Sequence, residues 1–238
     1  IQYLPVSAMY ILSMTLGYIG LRYIALSIAS PVQNSSGAIT TILLAIFFTQ
    51  TLMSIEIFSI ILILSGVILL AILEKKYEDQ ERIQKQIQID NKYKKSFLAI
   101  FFPISYAIFD GLGTFLDGVY LDEMELISED MALLSYEYTF LFCALIIWGI
   151  LKIKKVPFHP LKEGTRTAAG LFETAGQFFY VFAMSANAII AAPIIATYSI
   201  FSVLLARMFL KEKLTKAQYI VVLAVLIGIA LLGIADEL

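Results

Sequence analysis

The sequence predicts an all-α, polytopic membrane protein, and three observations carry that expectation. Hydrophobic residues make up 60% of the chain and charged residues 15%, with a mean hydropathy of +0.84. A soluble domain averages about half apolar and about a quarter charged. The apolar residues gather into eight windows that reach or approach the ~20 residues needed to span a bilayer. A single long polar stretch interrupts them and divides the chain in two.

The windows are 4–26, 35–53, 55–73, 96–120, 131–151, 165–185, 189–210 and 217–234. The first begins almost at once after Ile1, without the basic flank and small-residue cleavage site of a signal peptide, so an N-terminal part is expected to be missing. Residues 74–95, with seven Lys/Arg, read as a solvated connector, either a short surface helix or a flexible linker. The fourth window exceeds a minimal span and can tilt. It carries Asp110 near its middle and Asp117 seven residues later. A carboxylate at membrane depth costs roughly 2.5–3.5 kcal/mol on insertion scales, and such groups usually face a cavity or a partner. Seven residues is close to two helical turns, which puts both acids on one face with Tyr106 and Gly113.

Later windows add further polar positions. Glu137 lies between Tyr136 and Tyr138 in the outer third of window 131–151. Glu173, Gln177 and Tyr180, at i, i+4 and i+7, form a polar stripe on window 165–185. Asn187 and Pro193 precede or open the next helix, followed by Thr197, Tyr198 and Ser199. Gln33, Asn34, Thr40 and Thr41 occupy the equivalent region of the first part.

That equivalence rests on an internal repeat. At an offset of 162, residues 29–72 match 191–234 without a gap, and the identities include Ala29/Ala191, Pro31/Pro193 and Gly66/Gly228. Leucine agreements between apolar helices carry little weight, but a proline and a glycine in register do. The second part has five windows and the first only three, so two helices are expected to be missing at the N-terminus. A repeat with an odd number of spans inverts its partner across the membrane. The expected architecture is therefore eight helices of ten in two inverted five-helix repeats: an incomplete first repeat at 1–73, the linker at 74–95 and a second repeat at 96–238.

The residues that carry this pattern resemble the drug/metabolite transporter superfamily, EamA-type. Ser185–Arg207 enters through a small-residue stretch ending at Pro193, followed by Lys211, Glu212, Lys213 and Leu214, then by Gly228 in the final helix. The first part carries Ala29, Ser30, Pro31 and Gly66, but its turn at 49–56 lacks the Lys-Glu-Lys core. The resemblance implies ten helices, two inverted repeats and transport. It also implies cytoplasmic ends.

Charge argues the opposite orientation. Seven Lys/Arg lie in 74–95, five in 152–166 and three in 211–216, loops that all emerge on one face; Arg22 and Arg207 lie near the same face. The opposing loop, 121–130, has five acids and no base. By the positive-inside rule the basic face is cytoplasmic, and we follow the charge.

Several classes drop out. A net charge of −2 with bases confined to loops gives nucleic-acid binding no support. One cysteine, Cys143, and one distant histidine, His159, make neither a disulfide nor a metal site. No glycine-rich phosphate loop or serine nucleophile motif is present. No cofactor is expected.

The leading expectation is a non-enzymatic secondary transporter, an exporter or exchanger of small organic metabolites or drugs, multi-pass in the cell membrane. Its substrate or proton site would draw on Asp110, Glu173, Gln177, Tyr106, Tyr180, Asp117, Glu137 and Tyr198. Buried acids beside tyrosines tilt the substrate towards cations or zwitterions. Burial penalises the charged form of a carboxylate, which can then load and release a proton, so exchange needs no extra machinery. Asp117 and Glu137 are nearer an interface and fit a structural role equally well. Gly66 and Gly228 suit close helix packing, and Arg22 and Arg207 can snorkel. The expected partners are a small-molecule substrate and membrane lipid, with a homodimer left open. A membrane-embedded enzyme or a scaffold or sensor is the competing reading. The ~10 Å rise between Asp110 and Asp117 is too wide for a shared proton or metal.

Overall fold

The computed structural model describes residues 3–48, 52–85, 96–157, 159, 162–196, 198–211 and 214–235. Among them every apolar window carries helix and there is no strand. In chain order the helices are α1 (Leu4–Gly20), α2 (Leu26–Gln33), α3 (Ser36–Phe47), α4 (Ser54–Lys85), α5 (Ser96–Gly118), α6 (Glu129–Ile153), α7 (Gly164–Ala186), α8 (Ala188–Ala196), α9 (Tyr198–Leu205) and α10 (Lys216–Ala235). A π-helical turn, Val119–Glu123, extends α5, and another, Ala206–Leu210, extends α9.

Three segments, Ile100–Glu123, Glu129–Ile153 and Lys216–Ile234, are long and apolar enough to cross a membrane by themselves. Leu4–Gly20, Ser54–Leu70 and Ile194–Leu210 are shorter apolar helices. The outward face of α6 presents Leu141, Phe142, Leu145, Ile146 and Trp148, all more than 45% exposed. Exposed apolar patches of that extent mark a surface built for a non-aqueous neighbour. The chain is a membrane protein.

Two boundaries differ from those expected. The helix of the first window stops at Gly20, not residue 26, and Ala25 is extended (ψ 141°) before α2 begins. The next span accordingly opens at Leu26, not 35, and is broken. Pro31 lies inside α2 without an N–H to donate, and α2 ends two residues later at Gln33, with Asn34 as its C-cap. Side chains serve the carbonyls at the break: Asn34 Nδ2 donates to Ser30 O (2.9 Å) and Ser35 Oγ to Val32 O (2.6 Å). A break at membrane depth persists where it is enclosed by protein or lines a cavity, and Ser30, Asn34 and Ser35 are buried. In the later span, Pro193 lies within α8 and Ser199 Oγ on α9 donates to Ala196 O (3.0 Å).

The polar connector is also partly regular. α4 continues through Lys85, because 74–85 is rich in Glu, Lys, Gln and Arg and contains no Gly or Pro to stop it. Residues 86–95 lie outside the described residues.

Packing between α4 and α10 is close. A Cβ on Gly66 would lie 2.4 Å from Val225 Cγ2, and one on Gly228 would lie 2.9 Å from Ile63 Cγ1. A later residue of one helix meets an earlier residue of the other, so the two run antiparallel. One apolar cluster joins them to α2 through Ile28, Ile63, Leu70, Val225 and Leu232. A second joins α1, α6, α7 and α8 through Val6, Tyr136, Val181, Met184 and Ala188.

Candidate functional site

A cavity of about 310 Å³ opens among α1, the α2–α3 break and α5 to α9. From α5 it takes Tyr106, Asp110, Gly113, Thr114 and Asp117; from α7, Phe172, Glu173, Gly176, Gln177 and Tyr180; from α9, Tyr198. The polar stripes of the fourth and sixth windows thus meet. Asn34 joins them from the α2–α3 break. Glu137 does not: its side chain is exposed on α6, away from the cavity lining.

The acids have different surroundings. Asp117, only 2% exposed, is enclosed by phenols. Tyr136 Oη donates to its carboxylate, 3.0 Å from Oδ1 and 2.9 Å from Oδ2; Tyr180 Oη donates to Oδ2 at 2.6 Å; Tyr3 Oη donates to Oδ1. These donors come from α6, α7 and the residue preceding α1, so one carboxylate ties three parts of the chain to α5. The Tyr3 and Tyr136 rings meet edge to face at 5.5 Å, and Tyr10 meets Tyr136 at 5.7 Å. Such pairs add about 0.5–1.5 kcal/mol each beyond burial. Ser7 Oγ and Thr139 Oγ1, 2.8 Å apart, add a second tie between α1 and α6.

Glu173 and Asp110 are only partly buried. Glu173 accepts from Tyr10 Oη on α1. Asp110 has Ser13 Oγ at 3.4 Å, with Ser36 and Tyr106 also alongside. The Ser13 hydroxyl is closer to Tyr10 O, at 2.9 Å, and its one proton serves that carbonyl better. One turn beyond Glu173 on α7, Gln177 is 4% exposed, and its Nε2 has no hydrogen-bond partner among the described residues. Leaving a buried amide donor unmet costs about 1–3 kcal/mol.

The close fit of α5 depends on glycines. A Cβ on Gly111 would lie 2.9 Å from Ile39 Cβ, and one on Gly17 would lie 2.8 Å from the Tyr106 ring. Thr40 Oγ1 donates to Gly111 O (3.1 Å) across the α3–α5 contact. Past Asp117, the π-helical turn brings Asp122 Oδ2 to the first N–H of α8, that of Ala188, at 2.8 Å. A carboxylate there offsets both an unmet donor and the positive end of the helix dipole.

The sequence reading missed Tyr3, Tyr10 and Ser13. Their signal was present: Tyr3, Ser7, Tyr10 and Ser13 recur at three- and four-residue spacing and give α1 a polar stripe. None carries a charge, so none stood out from an apolar window.

Residues 97–234 match the model of a family described as the EamA-like transporter family, and the match covers more than half of the chain. No curated protein matches.

Proposed function

The chain belongs to the EamA-like transporter family, and we propose that it is a secondary transporter of small organic molecules in the cell membrane. The observation that carries this is the cavity: an acid- and tyrosine-lined space enclosed by apolar helices and bounded by the break between α2 and α3. Discontinuous helices flanking a midplane site are the usual build of such transporters. Specific pockets commonly have about 300–1,000 Å³, so this one takes a small solute.

Two inverted repeats are supported by details spaced 162 residues apart. α2 and α8 begin at Leu26 and Ala188, and α4 and α10 begin at Ser54 and Lys216. Glu56 caps the N–H of Met53, and Gln218 caps that of Thr215. Gly66 meets Val225, while Gly228 meets Ile63, so the contact maps onto itself when the halves are exchanged. Self-complementarity of this kind is the mark of a two-fold axis. Between antiparallel membrane helices, that axis lies in the membrane plane. On this reading the chain supplies eight of ten helices, with 1–73 and 96–238 belonging to the two repeats.

We assign coupling to proton exchange at Glu173 and Asp110, the acids that face open space. Glu173 is met by Tyr10, and Asp110 by Ser13, Ser36 and Tyr106. In proteoliposomes holding the purified protein, an acid interior should drive solute uptake as protons leave. Uptake that keeps its full pH dependence in both Glu173→Gln and Asp110→Asn would remove the coupling. Failure of a folded protein to move any solute of a broad panel would remove transport.

A further inference from the structure

The cavity holds a contradiction that a ligand would resolve. Three carboxylates line it, and no Lys, Arg or His does so among the described residues. Asp117 already takes three phenol hydrogen bonds and has little capacity left. Among the described residues, Asp110 and Glu173 are met only by neutral hydroxyls, from Ser13, Ser36 and Tyr106 and from Tyr10, and both are less buried than Asp117. Beside them lies the opposite need: Gln177 lines the same cavity, and its buried Nε2 has no acceptor among the described residues.

One ligand chemistry meets both demands. We propose that the cavity binds a small organic amine whose ammonium sits between Asp110 and Glu173 and whose neutral oxygen acceptor takes the free N–H of Gln177. An anion would meet three carboxylates and no cation. A neutral solute would satisfy Gln177 but leave the acids unmatched. The rings of Tyr10, Tyr106 and Tyr198 border the same space and suit a cation, because an aromatic face attracts positive charge. This inference rests on the transport reading and narrows its substrate.

Matched probes separate the two contacts. L-phenylalaninamide has both ammonium and carbonyl, phenethylamine lacks the carbonyl, and 3-phenylpropanamide lacks the ammonium. Binding to the purified full chain in detergent is measured by calorimetry. Phenylalaninamide should bind, phenethylamine about five- to tenfold more weakly, and 3-phenylpropanamide not measurably, as expected for one neutral and one charge-assisted hydrogen bond. Gln177→Leu should bring the two amines to equal affinity. Glu173→Gln and Asp110→Asn should each weaken both by about 10- to 100-fold.

The inference is overturned if the uncharged probe binds as well as the amines, if neither amine binds a monodisperse protein, or if both acid variants retain full affinity. Should a variant fail to fold, the order of the three probes on the unaltered protein still decides. Solute flux in the companion proteoliposomes tests the broader reading separately. Flux of other solutes without amine binding removes the amine and leaves transport standing. Amine binding without flux of any solute does the reverse.

Discussion

At the scale of single residues, the three carboxylates that line the cavity have different surroundings. Asp117 is buried among three phenols from three parts of the chain, whereas Asp110 and Glu173 look onto open space. Removing one donor from a buried charged acceptor costs about 1.5–3 kcal/mol. Tyr136→Phe should therefore lower unfolding stability in detergent by about 2 kcal/mol. Glu173→Gln should change stability by under about 1 kcal/mol and yet lose pH-driven transport. Equal stability losses in the two variants would refute the division. Asp110, Glu173, Gln177, Tyr106, Tyr180 and Tyr198 were legible as candidates because charge and periodicity mark them within an apolar background. The division between Asp117 and the others was not legible, since it depends on hydroxyls from distant segments. Glu137 carries the same charge signal but faces away from the cavity, and position along a helix alone does not say which face looks inward.

At the scale of elements, two contacts invite tests. Gly66 leaves room for Val225, whose β-branched side chain has little rotamer freedom in a helix. Gly66→Ala should cost about 1–3 kcal/mol by overpacking, and adding Val225→Ala should restore at least about half. Additive losses in a double-mutant cycle would mean that the two residues do not meet. The equivalent Gly228→Ala should be rescued less well by Ile63→Ala, because Ser59 O, a backbone atom, also lies 3.2 Å from the added carbon. The second contact is the cap that Asp122 places on α8. Asp122→Ala should destabilise by about 1 kcal/mol and speed amide exchange at the start of α8, while Asp122→Asn, which keeps an acceptor, should do so less. Unchanged exchange at Ala188 would show that the cap has no effect there. Helix existence was readable from hydropathy throughout, whereas helix boundaries were not. Breaks such as the one after Pro31 depend on Asn34 and Ser35 finding carbonyls to serve, which an apolar window does not register.

For the whole molecule, two arguments bear on which side of the membrane the basic loops occupy. The family resemblance implies cytoplasmic ends, and the distribution of charge implies that the C-terminus lies outside. The structure adds a local anchor: Lys152 Nζ lies 5.2 Å from the centre of the Trp148 ring near the end of α6. Tryptophan and lysine together suit the membrane interface, where aromatic rings sit at headgroup level. Lys/Arg bias in short loops acts during insertion itself, and it weighs most within about 15–20 residues of a span. Here the loop after α6 has Lys154 and Lys155, the loop before α10 has Lys211, and the loop between α5 and α6 has Glu123 and Glu125. With Cys143 replaced by Ser, single cysteines at Lys154 and Lys211 should react with an impermeant maleimide only after the inner face is opened. A cysteine at Glu125 should react in intact cells. The reverse pattern would mean that loop charge did not set this topology, and that the site's access from each side must be exchanged accordingly. Labelling of all three from both sides would point to dual insertion, an arrangement in which the two inverted halves of a cavity would serve either direction equally.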